Sequence, residues 1–268
     1  MNYRARTIAQ DVAFEGKGLH SGVPVRMVLR PGSEGIAFRL GSERTLATPA
    51  NVTDTTRSTK LGPVGTIEHL MAAFAGLEIT DVEVELDAPE LPGLDGSSKP
   101  YVEAILAAGT EDGEERTVPE LYRRIFVAEE GISISIGKGS GHGRFVYDLG
   151  SRWPHSQAYE QADAVGAFAQ EIAPARTFAL LEEVPRLIQF GLGQGLDASS
   201  AVVIGEEGYK NEVRFEDEPA RHKLLDFMGD LYLAGVPLRA LNFVGERSGH
   251  RTHVRAAKML KEALGSGH

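Results

Sequence analysis

The feature that most constrains the fold of this chain is a sequence pattern that occurs once in each of its two halves. Residues 67–86 read IEHLMAAFAGLEITDVEVEL, and residues 221–244 read RHKLLDFMGDLYLAGVPLRALNFV. Each segment has the pattern of a histidine-bearing helix, then a glycine near the helix end, then a strand. Strand patterns also precede each segment, so the sequence predicts a duplicated α+β unit. Two such units bury their helices face to face between their sheets, and the cleft between them is the natural site.

We therefore predict an α+β fold of two similar domains, each a mainly antiparallel sheet with helices, with the helices packed between the two sheets. A length of 268 residues accommodates two domains. The segment 110–119, TEDGEERTVP, is charged and carries glycine and proline, as linkers do. The first domain is expected to span residues 1–117 and the second residues 118–268.

The individual helices can be placed from their start and stop signals. Thr66–Leu77 is predicted as a short helix with Thr66 as its N-cap, and Pro219–Ala234 as a longer helix that begins at its proline. Other helices are predicted at residues 100–108, 158–172, 180–190 and 254–264, and a last strand at residues 238–244.

Composition excludes several classes of function. The net charge is −10 and the Lys and Arg residues form no cluster, which argues against nucleic-acid binding. The chain has no cysteine, which excludes disulfides and cysteine-ligated zinc. Any metal must therefore be held by histidines and carboxylates, a ligand set that is typical of open catalytic sites.

The distribution of apolar residues predicts no membrane segment. No run approaches the ~18 consecutive apolar residues that a spanning helix needs. The N-terminal residues lack the apolar region of a secretory signal. We expect a cytoplasmic, monomeric protein with no integral membrane segment and no nucleic-acid partner.

Three polar residues share one face of the predicted helix at Pro219–Ala234. His222, Asp226 and Asp230 follow each other at intervals of four residues, which places them one turn apart. A histidine and an aspartate at this spacing can bind one metal ion. The alternative is an amphipathic helix whose solvated face happens to carry these residues.

The first half of the chain supplies a second pair, Glu68 and His69. A zinc hydrolase needs two or three neutral imidazoles or carboxylates, an open position, and a carboxylate base beside the attacking water. His69 would complete a ligand set with His222 and Asp226, and Glu68 would be the base. The alternative for this pair is a surface glutamate beside a histidine near the helix terminus.

Two short motifs add candidate groups. His250 ends the sequence RSGH after a predicted strand, and as an imidazolium it can stabilise an oxyanion or protonate a leaving amine. Asp230 is the carboxylate expected to keep it charged. Thr177 in the sequence ARTF offers a hydroxyl donor, and Phe178 offers a ring for an apolar or sugar face. A loop histidine in water is the alternative for His250.

These motifs occur in one order that resembles the UDP-3-O-acyl-N-acetylglucosamine deacetylase family. The segments that carry the resemblance are GKGLHSG, TIEHLMAAFAGLEI, ELPGLDGSSKPYVEA, ARTF, RFEDEPARHKLLDFMGDLYLAG and SGH. The similarity extends from about residue 6 to about residue 260. The resemblance implies a deacetylase of lipid A biosynthesis that acts on a small nucleotide sugar.

The resemblance also implies a role for each residue of the site. His69, His222 and Asp226 would bind Zn²⁺, and Fe²⁺ would fit the same ligands. Glu68 would be the general base for the attacking water. His250, supported by Asp230, would be the general acid and charge stabiliser, and Thr177 would help to bind the oxyanion. The residues expected to contact the substrate are Leu19, Phe178, Lys223 and Arg247, with Lys223 at the diphosphate.

Some positions depart from the family pattern. The segment 179–200, which forms the fatty-acyl passage in the family, has Leu196–Asp197 where Gly–Ser is common, and it has Pro185 inside an expected helix. A bulky leucine and a charge would narrow an apolar tunnel. The alternative function is therefore a related zinc deacetylase that acts on another N-acetylated sugar or amide without a long acyl chain. A non-catalytic nucleotide-sugar sensor is disfavoured, since every expected catalytic position is intact.

Overall fold

In a computed structural model, which describes residues 2–265, the chain forms two five-stranded sheets and five α-helices. The strands of the first half are β1 (Asn2–Ile8), β2 (Val12–Lys17), β3 (Pro24–Pro31), β4 (Ile36–Leu40), β5 (Glu43–Leu46), β6 (Val52–Asp54), β7 (Lys60–Leu61), β8 (Val82–Leu86) and β9 (Thr110–Thr117). Those of the second half are β10 (Ile125–Glu129), β11 (Ile132–Lys138), β12 (Gly143–Asp148), β13 (Ser156–Gln161), β14 (Phe178–Leu180), β15 (Val202–Ile204) and β16 (Leu241–Glu246). The α-helices are α1 (Glu68–Leu77), α2 (Lys99–Ala108), α3 (Val184–Gln189), α4 (Glu218–Tyr232) and α5 (His250–Gly265).

The two large sheets have the same topology. The first has the order β2-β3-β8-β4-β5 and the second the order β10-β11-β16-β12-β13. In each sheet the strand that follows the helix enters at the centre, where it is parallel to one neighbour, while all the other pairs are antiparallel. The predicted α+β fold of two similar, mainly antiparallel units is thereby confirmed.

Helices α1 and α4 occupy equivalent positions in the two units and pack directly against each other. Glycine at position 229 permits this contact, because a β-carbon there would lie 2.1 Å from the carbonyl oxygen of Glu68. The apolar faces of both helices join a single core with both sheets; Phe74 and Phe227 in this core are fully buried. The contact places the first turn of α1 beside the C-terminal half of α4.

The segment between β9 and β10 contains the predicted domain boundary. β9 ends at Thr117 and pairs with β1, and β10 begins at Ile125. The division at residues 117 and 118 stays a prediction. None of the helices in the described part of the chain combines the length and apolar character that crossing a bilayer requires.

Several predicted boundaries were wrong. The predicted helix at residues 158–172 is instead the end of strand β13 followed by a π-helical turn at Phe168–Ile172. Thr66 is not the N-cap of α1, because its φ is 60° and its hydroxyl donates to Glu90. The last helix begins at His250, four residues earlier than predicted. Pro185 lies in the first turn of α3, where the missing N–H costs nothing.

Candidate active site

Helix α4 presents His222, Asp226 and Asp230 on its face toward α1. Pro219 occupies the first turn of α4, where its fixed φ favours helix initiation. The predicted four-residue spacing therefore holds, but all three polar side chains are buried rather than solvated. Burial of this kind excludes the solvated-face alternative for the helix.

Helix α1 brings Glu68 and His69 to the same place, since both belong to its first turn. Glu68 is 3% exposed and His69 is 5% exposed, which excludes the alternative of a surface pair. Ser98 donates a hydrogen bond of 2.7 Å to the backbone carbonyl of His69 and so fixes the start of the helix against the segment that precedes α2.

The two helices bring three ligand atoms together. Nε2 of His69 lies 3.6 Å from Oδ1 of Asp226, and Nε2 of His222 lies 3.4 Å from the same oxygen. The potential ligand atoms of the three residues all lie within 4.8 Å of one another. Nδ1 of His222 is hydrogen-bonded to the carbonyl of Ala175 at 3.0 Å, so Nε2 is the nitrogen that faces the other two residues.

The donor set fits a divalent cation. Oδ1 of Asp226 is buried and accepts no hydrogen bond from any residue in the described range 2–265. An unpaired buried carboxylate oxygen is unfavourable unless a cation or donor approaches it. Two imidazole nitrogens and one carboxylate oxygen form the three-residue shell of an open catalytic zinc site.

The protonation states favour metal binding. Burial, together with the neighbouring His222, lowers the pKa of His69 to about 3, and burial also lowers the pKa of His222. Both imidazoles are therefore neutral and have a free lone pair. Burial opposes ionisation of Asp226, but the positive charges of Lys223 and His250 outweigh it and hold the pKa of the carboxyl below its ordinary value.

Glu68 lines the same cavity as the three candidate ligands. Its Oε2 accepts a hydrogen bond of 3.0 Å from the backbone N–H of Thr59, and its Oε1 lies 4.0 Å from Nε2 of His250. Burial raises the pKa of Glu68 to about 7, although the charge of His250 opposes the shift. A carboxylate with a pKa near neutrality is suited to accept and return a proton.

His250 is paired with Asp230 as the sequence predicts. Nδ1 of His250 lies 2.8 Å from Oδ2 of Asp230, and the carboxylate is 1% exposed. Burial disfavours the imidazolium, but the charge and the hydrogen bond of Asp230 outweigh it and raise the pKa of His250 to about 9. His250 is therefore cationic at neutral pH, with Nε2 directed toward Glu68.

These side chains line a cleft of about 590 Å³ between the two halves. All four expected substrate contacts and the expected oxyanion donor line it as well; they are Leu19, Phe178, Lys223, Arg247 and Thr177. Asp230 does not line the cleft and acts from behind His250. The structure thus brings all the predicted site residues together, while their individual roles stay predictions.

Comparison with known proteins decides the family. The model of the family described as UDP-3-O-acyl N-acetylglycosamine deacetylase matches residues 5–262. The chain belongs to this family. It is accordingly a deacetylase, a hydrolase that acts on an amide. Similar proteins named UDP-3-O-acyl-N-acetylglucosamine deacetylase come from Myxococcus xanthus (34% identity, 98% of this chain and 87% of the relative) and Syntrophotalea carbinolica (37%, 96% and 88%). A third, from Trichormus variabilis, is 33% identical over 96% of this chain and 98% of its own length.

In this deacetylase the cleft is closed on one side by the segment that carries α3. The backbone N–H groups of Gln194 and Gly195 donate to the carbonyls of His20 and Leu19, at 3.1 Å each. These bonds join the second half to the turn at residues 16–22 of the first half. Leu196 lines the cleft beside Leu187 and Leu192.

Asp197 does not narrow the cleft, contrary to the expectation from its charge. Its Oδ1 accepts hydrogen bonds from the backbone N–H groups of Ser199 and Ser200, at 2.8 and 3.0 Å. The carboxylate therefore caps a turn on the exposed side of the segment. Of the two residues that depart from the family pattern here, only Leu196 contributes to the lining of the cleft.

Lys223 and Arg247 have protein partners within the deacetylase. Nζ of Lys223 lies 2.8 Å from Oδ2 of Asp226 and 5.4 Å from the centre of the Phe178 ring. Arg247 has a φ of 53° and lies 3.4 Å from Oδ2 of Asp148. Both cations border the cleft, where an anionic part of a substrate can reach them.

Sequence reasoning missed two residues that contact Asp230. Thr59 donates its hydroxyl to Oδ1 of Asp230 at 2.5 Å, and His253 contacts Oδ2 at 3.0 Å. The sequence predicts that His253, like His142, His155 and His268, is a solvated loop or tail residue, and for His253 this was wrong because it is fully buried. His142 is partly exposed and His155 is exposed, and His268 falls outside the described residues.

Proposed function

We propose that this chain removes the N-acetyl group of UDP-3-O-acyl-N-acetylglucosamine in lipid A biosynthesis, with Zn²⁺ held by His69, His222 and Asp226. The observation that carries the proposal is that the ligand atoms of these three buried residues lie within 4.8 Å of one another, and that no residue in the described range donates a hydrogen bond to Oδ1 of Asp226. The names of the relatives support the choice of substrate.

The residues around the three ligands fit hydrolysis of an amide. When bound, the divalent cation supplies a Lewis acid that polarises the acetamide carbonyl and lowers the pKa of water. Fe²⁺ would be held by the same donors, since imidazole and carboxylate bind both ions. The cleft leaves space for the substrate next to these ligands.

Glu68 accepts the proton of the attacking water. Its pKa of about 7 keeps a large fraction ionised at neutral pH, yet leaves it basic enough to take up the proton. The hydrogen bond from the backbone of Thr59 holds Oε2, so that Oε1 is the oxygen that faces the cleft and His250. A fixed carboxylate loses little entropy when it acts.

His250 and Thr177 stabilise the negative charge that develops on the carbonyl oxygen. The imidazolium of His250 is maintained by Asp230, and its Nε2 carries a proton toward the cleft. Preorganised donors in a buried site lower the barrier without further reorganisation. Either His250 or the protonated Glu68 then donates a proton to the leaving amine, which departs as the free 2-amino sugar with release of acetate.

The rest of the substrate fits the remaining walls. Lys223 and Arg247 would contact the diphosphate, because both cations border the cleft. Trp153 lines an adjoining cavity of about 490 Å³ that shares Arg152 and Leu180 with the cleft, a position suited to the uridine. Apolar side chains of the cleft lining would receive the 3-O-acyl chain; they are Leu19, Phe178, Leu187, Leu192 and Leu196.

Leu196 favours a second candidate function, a zinc deacetylase whose substrate lacks a long acyl chain. Leu196 belongs to the segment that closes the cleft, and its side chain lines the cleft. Turnover of acylated and non-acylated UDP-N-acetylglucosamine separates the two candidates. The first predicts a much higher kcat/KM for the acylated compound. Equal kcat/KM values for the two compounds, or no reaction of the acylated compound, would favour the second candidate function.

We also propose that the enzyme acts as a cytoplasmic monomer. All the groups of the site belong to one chain, so the reaction requires no second copy. The proposed partner is a small nucleotide sugar, and we propose no nucleic-acid partner. Sedimentation of the metal-loaded protein tests the oligomeric state, and a stable dimer would contradict the proposal.

A further inference from the structure

His253 lies behind the catalytic pair, on the same helix as His250 and one turn later. Its side chain is fully buried, although a histidine in the first turn of a terminal helix would ordinarily reach water. Nδ1 of His253 is 3.0 Å from Oδ2 of Asp230, the oxygen that also contacts Nδ1 of His250 at 2.8 Å. Two imidazoles therefore share one carboxylate oxygen.

The contacts of His253 determine its tautomer. Burial lowers its pKa, although the hydrogen bond with Asp230 opposes the shift, so the ring is neutral and carries one N–H. An ionised carboxylate only accepts hydrogen bonds, so Nδ1 must carry the hydrogen. Nε2 then accepts from the hydroxyl of Ser248, at 3.0 Å. Both ring nitrogens are thereby satisfied.

Aromatic packing fixes the plane of the His253 ring. The ring of Phe227 is stacked on it, with centroids 4.8 Å apart and 30° between the planes. Phe145 contacts it edge-on, with centroids 6.1 Å apart. A ring held in this way directs its Nδ1–H at one point, which is the position of Oδ2 of Asp230.

Asp230 thus receives three hydrogen bonds, one at Oδ1 from Thr59 and two at Oδ2 from the histidines. Its carboxylate has no freedom to rotate without losing one of them. Its orientation in turn sets that of the His250 ring. The other titratable groups that face His250 come from the turn before β3, from α1 and from α4; they are His20, Glu68, His69 and Asp226.

We propose that His253 is a positioning residue for the Asp230–His250 pair, which holds the carboxylate in place and moderates its basicity through the Nδ1–H donor. This inference rests on the proposed function, since it assigns His253 a part in the same reaction. A donor on Asp230 withdraws negative charge from the oxygen that His250 uses. Removal of the donor therefore makes His250 harder to deprotonate and leaves its ring less well oriented.

Two amide substitutions separate the two nitrogens of His253. In His253→Asn the amide nitrogen falls at the place of Nδ1 and can still donate to Asp230. In His253→Gln the amide falls near the place of Nε2, so it can keep the contact with Ser248 but not the one with Asp230. The two variants differ in which contact of His253 is kept, while both side chains are polar and uncharged.

The zinc-loaded variants are compared by kcat and KM for acylated UDP-N-acetylglucosamine and by an NMR titration of the His250 ring. We expect His253→Asn to stay within about threefold of the parent kcat, and His253→Gln to lose roughly tenfold or more in kcat with KM within about twofold, the effect of one hydrogen bond to a charged group. The titration midpoint of His250 should rise in His253→Gln and not in His253→Asn.

A further measurement needs no variant. The ¹⁵N spectrum of the parent protein should identify His253 as the neutral Nδ1–H tautomer. The Nε2–H tautomer would overturn the proposal, because Nδ1 could not then donate. Equal losses in both variants with an unchanged His250 titration would also overturn it, since they indicate a purely structural role. If the parent turns over no substrate, the proposed function fails, but the two NMR measurements still decide on His253.

Discussion

Gly229 on α4 lies against the backbone carbonyl of Glu68 on α1, so closely that a β-carbon would be 2.1 Å from the oxygen. This approach fixes the separation between the helix that carries His69 and the helix that carries His222 and Asp226. The geometry of the ligand set therefore depends on a residue that has no side chain and touches no substrate.

Gly229→Ala is expected to separate the two helices. The added methyl would meet backbone atoms, which cannot move aside as a flexible side chain can. We predict a loss of about 1–3 kcal/mol of stability from overpacking and weaker zinc binding. Thermal unfolding and a zinc competition titration measure the two effects. Gly208→Ala is the control, because nothing lies within 4 Å of its added β-carbon; equal zinc affinity in both variants would contradict this account.

Much of the site could be predicted from sequence because its spacing is local. His222, Asp226 and Asp230 lie at four-residue intervals on one helix, and the repeated pattern at Glu68–His69 pointed to a second helix beside it. The duplication supplied the long-range information, since equivalent elements of two similar units meet across a common interface. No local pattern, however, specifies the Gly229–Glu68 approach that sets the distance between them.

Other features depend on contacts that no local pattern encodes. Residues 158–161 of strand β13 were predicted as helix; the sequence of the strand, SQAYEQ, has few β-branched or apolar residues, and the strand buries only Tyr159. Its pairing with β12 overrides that local preference. His253 was missed because α5 was predicted to start after it. Only the earlier start at His250 puts the two histidines one turn apart and both toward Asp230.

Glu68→Gln tests the general base. The amide keeps the shape of the side chain but cannot accept a proton, so kcat should fall by about 10²–10⁴-fold. Zinc binding should persist, since Glu68 is not among the three ligands. Steady-state kinetics and metal analysis of the purified variant provide the two readouts. Glu103→Gln, at an exposed position of α2, is the matched control; unaltered turnover in Glu68→Gln would contradict the assignment of Glu68 as the general base.

The pH dependence of kcat/KM tests the ionisation of His250. Its pKa is raised to about 9, so the imidazolium is present at neutral pH and activity should fall as the pH rises through about 9. Burial raises the pKa of Glu68 to about 7, and a bound cation lowers it again. The base must be ionised, so activity should fall on the acid side as the pH drops through 7 or below.

Asp230→Asn tests the ionisation of His250 by removing its carboxylate partner. Loss of the carboxylate removes the charge that raises the pKa of His250, so the alkaline fall should move to lower pH and the maximal rate should decrease. A pH profile of the variant beside the parent measures the shift. An alkaline limb at the same pH in both proteins would show that a group other than His250 controls it.

Lys223→Met tests the contact with the diphosphate. The ammonium group lies at the edge of the cleft between Asp226 and Phe178. Loss of one hydrogen bond to a charged group should raise KM for a UDP-linked substrate by roughly tenfold. For an N-acetylated sugar without a diphosphate, the variant and the parent should have the same KM. Lys99→Met, at an exposed position of α2, is the control. If KM is unchanged while zinc affinity changes, Lys223 serves only its partner Asp226.

The central claim is that one divalent cation, held by His69, His222 and Asp226, is required for deacetylation. The most direct measurement is a zinc titration of the metal-free protein, with release of acetate from acylated UDP-N-acetylglucosamine recorded at each addition. The account predicts no activity without metal and a rise to a plateau at one equivalent, with neither binding nor activity in His222→Ala. Full activity of the metal-free protein, or equal zinc binding by that variant, would contradict it.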